Sequence, residues 1–358
     1  MGKICFPLIQ VVRMALFGRK KTTVGLDIGS GFVKLVEIDH SGDQPEVVRV
    51  AMSPLLPDAI VEGEIMDPGL VADTIRTLWA DAGIETKDVV TAVGGHDVIV
   101  KKIEMDRMKE EDARQVIRWE AEQHVPFDIQ SVVIDFQILN PEGTDPKMDV
   151  LLVAAKRELV DHKVSLLQDA GLTPRLIDVD AFALHNALER NHPEAMRGIV
   201  ALVNIGHEMT NVNILEDGVP ILTRDIPFGS RRIREDLQRE QGLTAEEAED
   251  IVQGRKPLDA LDRYVRFGAD EVAVGVERAA AFLMAQYAGE GLGRVFLGGG
   301  GSRIPGLEAA LAERMGVQVT SANPFERVPV SPGAPGRLSL DEVGPVLLLP
   351  MGLALRNP

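Results

Sequence analysis

The sequence predicts an α/β protein of two related halves facing each other across a cleft, with a small β-α-β-β-α unit set into the first half. Three observations carry this reading. A strand–turn–strand hairpin near the start recurs 177 residues later. A run of four glycines joins a short strand to a helix near the end. Residues 98–172 hold their own alternation of strand and helix periodicity.

Length and composition set the frame. The 358 residues suffice for about two domains with a well-buried core, and 45% hydrophobic residues mark a globular chain. A formal net charge of −17 argues against a nucleic-acid partner, because phosphate backbones need a basic footprint. The charge is uneven: residues 1–21 hold Lys3, Arg13, Arg19, Lys20 and Lys21 and no acid. Such an arm either touches anionic lipid, at about 1 kcal/mol per cation, or stays solvated and disordered. The second reading is adopted. Cys5 is the only cysteine, which excludes an internal disulfide framework and fits a reducing compartment. The longest apolar runs, 4–12 and 346–355, fall short of the ~20 residues a bilayer span needs. No cleavage site follows the first, Met14 is an alternative start to Met1, and the chain is read as cytoplasmic.

The elements follow in order. Strand 24–28 turns at Gly29-Ser30-Gly31 and returns as strand 33–38, and a turn at 40–43 leads to strand 46–51. This is a meander rather than a βαβ unit. Helix 68–82 has Pro68 in its first turn and Gly83 as its stop, and strand 88–93 ends at Gly94-Gly95. The inserted unit comes next: strand 98–104, helix 109–125 stopped by Pro126, strands 132–139 and 149–155, and helix 158–170 capped by Gly171. Helix 178–190 leads into a second meander with strands 199–205, 211–216 and 221–226. After it come a polar helical stretch 230–254, helix 270–287, strand 295–297, the glycine run 298–301 and helix 305–315. A Pro/Gly-rich loop, 328–339, precedes an apolar closing helix that starts at 343. The expected units are the arm 1–21, a first half 22–97 and 173–198 with the terminal helix 343–358, the insertion 98–172, and a second half 199–342.

The duplication carries the chemistry. Val24-Gly25-Leu26-Asp27-Ile28-Gly29-Ser30-Gly31 matches Ala201-Leu202-Val203-Asn204-Ile205-Gly206-His207-Glu208. A carboxylate at the end of a buried strand, with glycine two residues on, lets backbone N–H groups approach a phosphate. Two such turns facing each other would clamp the phosphates of a nucleotide, with Asp27 holding Mg²⁺ through water. The run Gly298-Gly299-Gly300-Gly301, between strand and helix, permits close approach of a flat ligand or phosphate. A dinucleotide fingerprint is excluded because Lys34 stands where its third glycine belongs, and no P-loop G-K-[ST] exists. His207 either donates to a phosphate or is a turn residue with no special role. The seven histidines form no metal motif.

The two hairpins, the helix at 178–188 and Leu297-Gly298-Gly299-Gly300-Gly301-Ser302 resemble the five-part nucleotide site of the actin, heat-shock-chaperone and sugar-kinase superfamily. The insertion resembles that of the FtsA/PilM branch of these actin-like ATPases. Several stretches are similar to the PilM family: Phe17-Gly18-Arg19-Lys20, Glu122-Gln123-His124-Val125-Pro126-Phe127, Asp178-Val179-Asp180-Ala181-Phe182-Ala183-Leu184, Asn323-Pro324-Phe325 and Gly352-Leu353-Ala354-Leu355-Arg356. The resemblance implies that Asp27, Gly29, Ser30, Gly31 and Lys34 form the first phosphate turn. It likewise implies Asn204, Gly206 and Thr210 for the second and Gly298 to Ser302 for the adenosine loop. Glu249 would contact the ribose, and Asp178 or Asp180 would orient a water. Asn204 replaces the usual Asp and Val252 a frequent Lys, which implies ATP binding with weak or absent hydrolysis.

The implied role is that of a cytoplasmic adaptor for type IV pilus biogenesis and twitching motility, held peripherally at the inner membrane. It would bind the cytoplasmic N-terminal tail of PilN in a groove walled by Val125, Pro126 and Phe127. It would also link the motor ATPases and the platform protein PilC to the alignment complex. Phe127 alternatively packs under the helix end. A small-molecule kinase or an FtsA-like filament-forming ATPase shares the superfold, and fold alone does not decide among them.

Overall fold

The computed structural model describes residues 9–10, 22–286 and 291–356. The expected disorder of the basic arm lies outside the described residues, except for β1 (Ile9–Gln10), which pairs antiparallel at Ile177 and Leu176.

The chain opens with a meander of β2 (Thr22–Ile28), β3 (Phe32–Asp39) and β4 (Glu46–Pro54). A short hairpin of β5 (Ile60–Val61) and β6 (Glu64–Ile65) leads to α1 (Pro68–Asp81), whose N-cap Asp67 accepts from the Leu70 N–H. β7 (Asp88–Val93) follows. The β-α-β-β-α order expected of the insertion is present as β8 (Val98–Asp106), α2 (Glu110–Glu122), β9 (Val132–Ile138), β10 (Lys147–Lys156) and α3 (Arg157–Asp169). β11 (Thr173–Val179) and α4 (Asp180–Asn191) return to the body. The second meander is β12 (Ile199–Ile205), β13 (Thr210–Glu216) and β14 (Val219–Ile226). It continues into α5 (Ser230–Gln241), α6 (Ala245–Val252), α7 (Leu261–Gln286), β15 (Arg294–Gly298), α8 (Leu307–Met315) and β16 (Gln318–Ser321). α9 (Leu340–Val343) and α10 (Leu348–Ala354) close the fold.

Four boundaries differ from the sequence reading. Residues 173–179 are a strand, so the helix expected from Asp178 starts at Asp180. β11 is buried on most positions and pairs parallel with β7, and such strands lack the alternation that announces a strand. The polar stretch 230–254 breaks at Gly242, which takes the left-handed conformation, and restarts at Thr244 with a capping box to Glu247. α7 begins at Leu261, because Leu261, Tyr264, Val265 and Ala269 make a buried helical stripe. The closing helix splits into α9, a 3₁₀ turn at Gly344–Leu347 and α10.

Two sheets organise the molecule. One has the order β1-β11-β7-β2-β3-β4 and the other β16-β15-β12-β13-β14-β8-β10-β9. The insertion interrupts the first half in sequence, yet its sheet joins that of the second half through the single pair Leu222–Lys101. Between the sheets lie α4 and α10, whose Leu184, Leu188, Leu348 and Leu353 meet Val36, Leu202 and Phe296 from the two sheets. Outside the first sheet α1 and α3 share a core with Leu26 and Leu35, and outside the second α5–α8 cover β12–β15. Burial of this kind is worth roughly 25 cal/mol per Å² of apolar surface. α10 packs at backbone distance: a Cβ on Gly352 would lie 1.7 Å from the Ala183 carbonyl oxygen. Only glycine permits that approach.

Candidate functional site

The two repeated turns close with the same bond. The Gly29 N–H donates to the Phe32 carbonyl at 3.1 Å, and the Gly206 N–H donates to the Met209 carbonyl at 2.9 Å. Antiparallel pairing extends the likeness across each meander. Asp27 faces Lys34 and Lys34 faces Met52 in one half, while Asn204 faces Asn211 and Asn211 faces Asp225 in the other. All six side chains line one cavity of about 650 Å³, within the usual range for small-molecule sites. The first row is a compact ion pair, Lys34 Nζ to Asp27 Oδ2 at 2.5 Å. The second is a relay: Asn204 Nδ2 donates to Asn211 Oδ1 at 3.3 Å, and Asn211 Nδ2 donates to Asp225 Oδ1 at 2.5 Å. The carboxylate absent at position 204 therefore reappears two strands away at Asp225. Burial pushes its pKa up, against the Asn211 hydrogen bond.

Gly29, Ser30, Gly31, Gly206, Gly299, Gly300 and Glu249 also line the cavity, together with His207 and Val252. Gly299 and Gly300 differ sharply. A Cβ on Gly299 would sit 2.3 Å from the Ile205 carbonyl oxygen, whereas one on Gly300 would meet nothing within 4 Å. Gly300 therefore faces open space. Glu249, on α6, holds Arg234 at 3.2 Å. His207 is kept below its usual pKa first by burial and then by the Arg234 charge.

Asp180 stands at the head of α4 in the cavity wall. Burial first, then the Asp27 charge, raise its pKa to about 7, while Lys163 pulls the other way. A carboxyl poised near neutrality in a cleft is suited to proton transfer. Lys163 reaches the same wall from α3, and burial lowers its pKa against the pull of Asp180 and Asp27. At the rim, the Glu62 N–H donates to Glu208 Oε2 at 2.8 Å, and Arg231 joins Asp58 at 3.2 Å to Glu208 at 2.8 Å. Among the described residues no cluster of three or more His, Cys, Asp or Glu is arranged to hold a metal ion.

Several expected residues lie elsewhere. Asp178 belongs to β11, is fully buried and does not line the cavity. Its Oδ2 accepts from Arg356 Nε at 2.6 Å and its Oδ1 from Arg356 Nη2 at 3.0 Å. Asp178 thus anchors the C-terminal segment. Thr210 is buried and donates to the Phe228 carbonyl at 2.7 Å. Gly298 packs on Leu348, Gly301 on Ile205, and the Ser302 hydroxyl donates to the Gly299 carbonyl at 2.7 Å, so the loop's cavity face is Gly299 and Gly300. Val125 is part of the core under α2, which removes it from an open groove wall. Pro126 is exposed, and Phe127 is half-buried against that core with Lys156 Nζ 4.9 Å from its ring centre. Sequence reasoning missed Lys163, Asn211 and Asp225. For the last two the signal was available, since in-register pairing of a meander places Asn211 beside Asn204 and Asp225 beside Asn211.

A family model described as type IV pilus assembly protein PilM matches residues 25–358. The chain is 30% identical to a chain of a solved PilM–PilN type IV pilus biogenesis complex, with a TM-score of 0.83 over 95% of this chain and 99% of that one. MreB5 of Spiroplasma citri bound to AMPPNP is similar in fold, with a TM-score of 0.52 at 11% identity over 94% of this chain and 96% of that one. The cell division protein FtsA of Bacillus subtilis is 23% identical over 254 residues, which is 64% of this chain and 56% of that protein's length. The chain thus spans little more than half of this curated relative. The fold is actin-like, and the chain belongs to the type IV pilus assembly protein PilM family.

Proposed function

We propose that the chain is an ATP-binding adaptor of the type IV pilus assembly machine, which takes ATP with Mg²⁺ in its cleft and docks the cytoplasmic N-terminal tail of PilN. The observation that carries the nucleotide half is the pair of matching turns that share one cavity with the open face of Gly300. Backbone N–H groups at the tips of the two turns, Ser30 and Gly31 in the first and His207 and Glu208 in the second, would receive phosphates, Lys34 would supply positive charge, and Glu249 would grip a ribose. Asp27 would hold the metal through water, and bound Mg²⁺ supplies charge neutralisation for the phosphates. The fold likeness to nucleotide-bound MreB5 supports this use of the cleft.

The partner half rests on likeness to a protein solved with PilN. On this reading PilN carries the chain to the inner membrane. Among the described residues no helix is long and apolar enough to cross it. Motor ATPases and PilC would be further contacts, and pilus biogenesis and twitching motility the outcome. A pull-down of the chain on an immobilised PilN-tail peptide, with and without ATP, tests the adaptor role. Capture is expected, with an ATP-dependent yield. Failure to capture in either state would sink it.

A second reading adds slow hydrolysis, favoured by Asp180 with its near-neutral pKa and by Asp225, which restores a carboxylate to the second wall. On this reading Asp180 would take a proton from an attacking water. Turnover should lie well below the ~1 s⁻¹ of competent enzymes and vanish in Asp180→Asn. Turnover that survives this change would exclude Asp180 as the base.

A further inference from the structure

We infer that Lys163 is a ligand for the terminal phosphate of a bound nucleoside triphosphate, and that through it the inserted unit distinguishes triphosphate from diphosphate. The inference rests on the reading of the cleft as a nucleotide site and adds the residue that reads the end of the phosphate chain.

Lys163 lies in α3 and lines the cavity, where the charges of Asp180 at the head of α4 and Asp27 at the end of β2 act on it. Among the described residues it makes no hydrogen bond and no ion pair within 4 Å. A half-buried ammonium between two carboxylates, yet bonded to neither, is a donor held in reserve. The other cations on the wall are committed or placed elsewhere. Lys34 is bound by Asp27 and Arg234 by Glu249, while Arg303 stands on the turn after the glycine run. A terminal phosphate seated over the two turns would add negative charge beside Asp27, Asp180 and Asp225. A free cation at that place is what its chemistry requires. A diphosphate would end short of it.

The position of Lys163 also connects two parts of the molecule. α3 continues directly from β10, the central strand of the inserted sheet. Its Val160 packs with Val98, Val100, Leu151 and Val153 of that sheet, while Leu166 and Leu167 pack in the core with α1. Drawing Lys163 toward a phosphate therefore loads the joint between insertion and body.

The test compares ATP and ADP affinity by calorimetry for the parent, Lys163→Met and Lys163→Arg, with amide hydrogen exchange of β8, β10 and α2 in each nucleotide state. Loss of a charged hydrogen bond corresponds to a fall of roughly 10–100-fold. Lys163→Met should lose ATP affinity to that extent while ADP affinity holds within about threefold, which also reports an intact fold. Lys163→Arg should keep the preference for ATP. Exchange in the inserted strands should differ between ATP and ADP in the parent and become alike in Lys163→Met. Equal loss of both nucleotides, or unchanged ATP affinity, overturns the inference while leaving the cleft assignment standing. A parent that binds neither nucleotide overturns the cleft assignment itself.

Discussion

Asp178 and Asp180 are two residues apart and alike in sequence, but they do opposite work. In a strand, i and i+2 share a face, which would have put both carboxylates in one place. The strand instead ends at Val179, so Asp180 opens a helix and turns into the cleft while Asp178 stays buried on Arg356. Asp180 has a pH signature. Its folded pKa of about 7 is raised above the ~3.9 of an unfolded Asp, so the folded state binds the extra proton. Stability in the absence of ligand therefore falls as pH rises from about 4 to about 7, and the full penalty is present above that window. Asp180→Asn should flatten this dependence and stabilise the apo protein by about 2 kcal/mol at pH 8. That is less than the ~4 kcal/mol that three pKa units would give, because Asp180 is only half-buried in the cavity wall. Melting curves at pH 5 and pH 8 check it; a variant with the parent's pH dependence would contradict the assignment. Lys163 was not legible in the sequence, because a lysine on the polar side of an amphipathic helix reads as a solvated charge until tertiary packing brings it to the cleft.

At the scale of elements, periodicity found what is amphipathic and missed what is not. Both meanders, the β-α-β-β-α insertion and the glycine loop were readable because one face of each is polar or their turns carry glycine. β11 was missed because it is buried on most positions, and β16 because Gln318–Ser321 is short and polar. α10 was expected as a helix, but not that it packs at backbone distance between the halves. Gly352 is the test of that contact. Gly352→Leu should destabilise the fold by more than the 1–3 kcal/mol typical of overpacking, since the atom it strikes is backbone rather than a mobile side chain. Chemical denaturation measures this. A loss under about 1 kcal/mol would mean that α10 moves freely against α4.

Across the whole molecule, the duplication seen as eight paired residues becomes two walls that meet over one cavity. The sequence alone could align the turns but could not show that their meanders carry different charge, Asp27 with Lys34 on one side and the relay from Asn204 to Asp225 on the other. The insertion adds a second asymmetry: it leaves the chain in the first half, joins the sheet of the second at Leu222 and Lys101, and returns through α3 and Lys163. Nucleotide and partner could thus influence one another through one connected body. The whole account stands on the cleft as a nucleotide site, and Gly300 tests this most directly. ATP with Mg²⁺ should raise the parent's melting temperature by mass action. Gly300→Leu, whose side chain enters open cavity, should melt in the apo state close to the parent and show no rise with ATP. A variant that gains the same stabilisation from ATP as the parent would contradict the assignment.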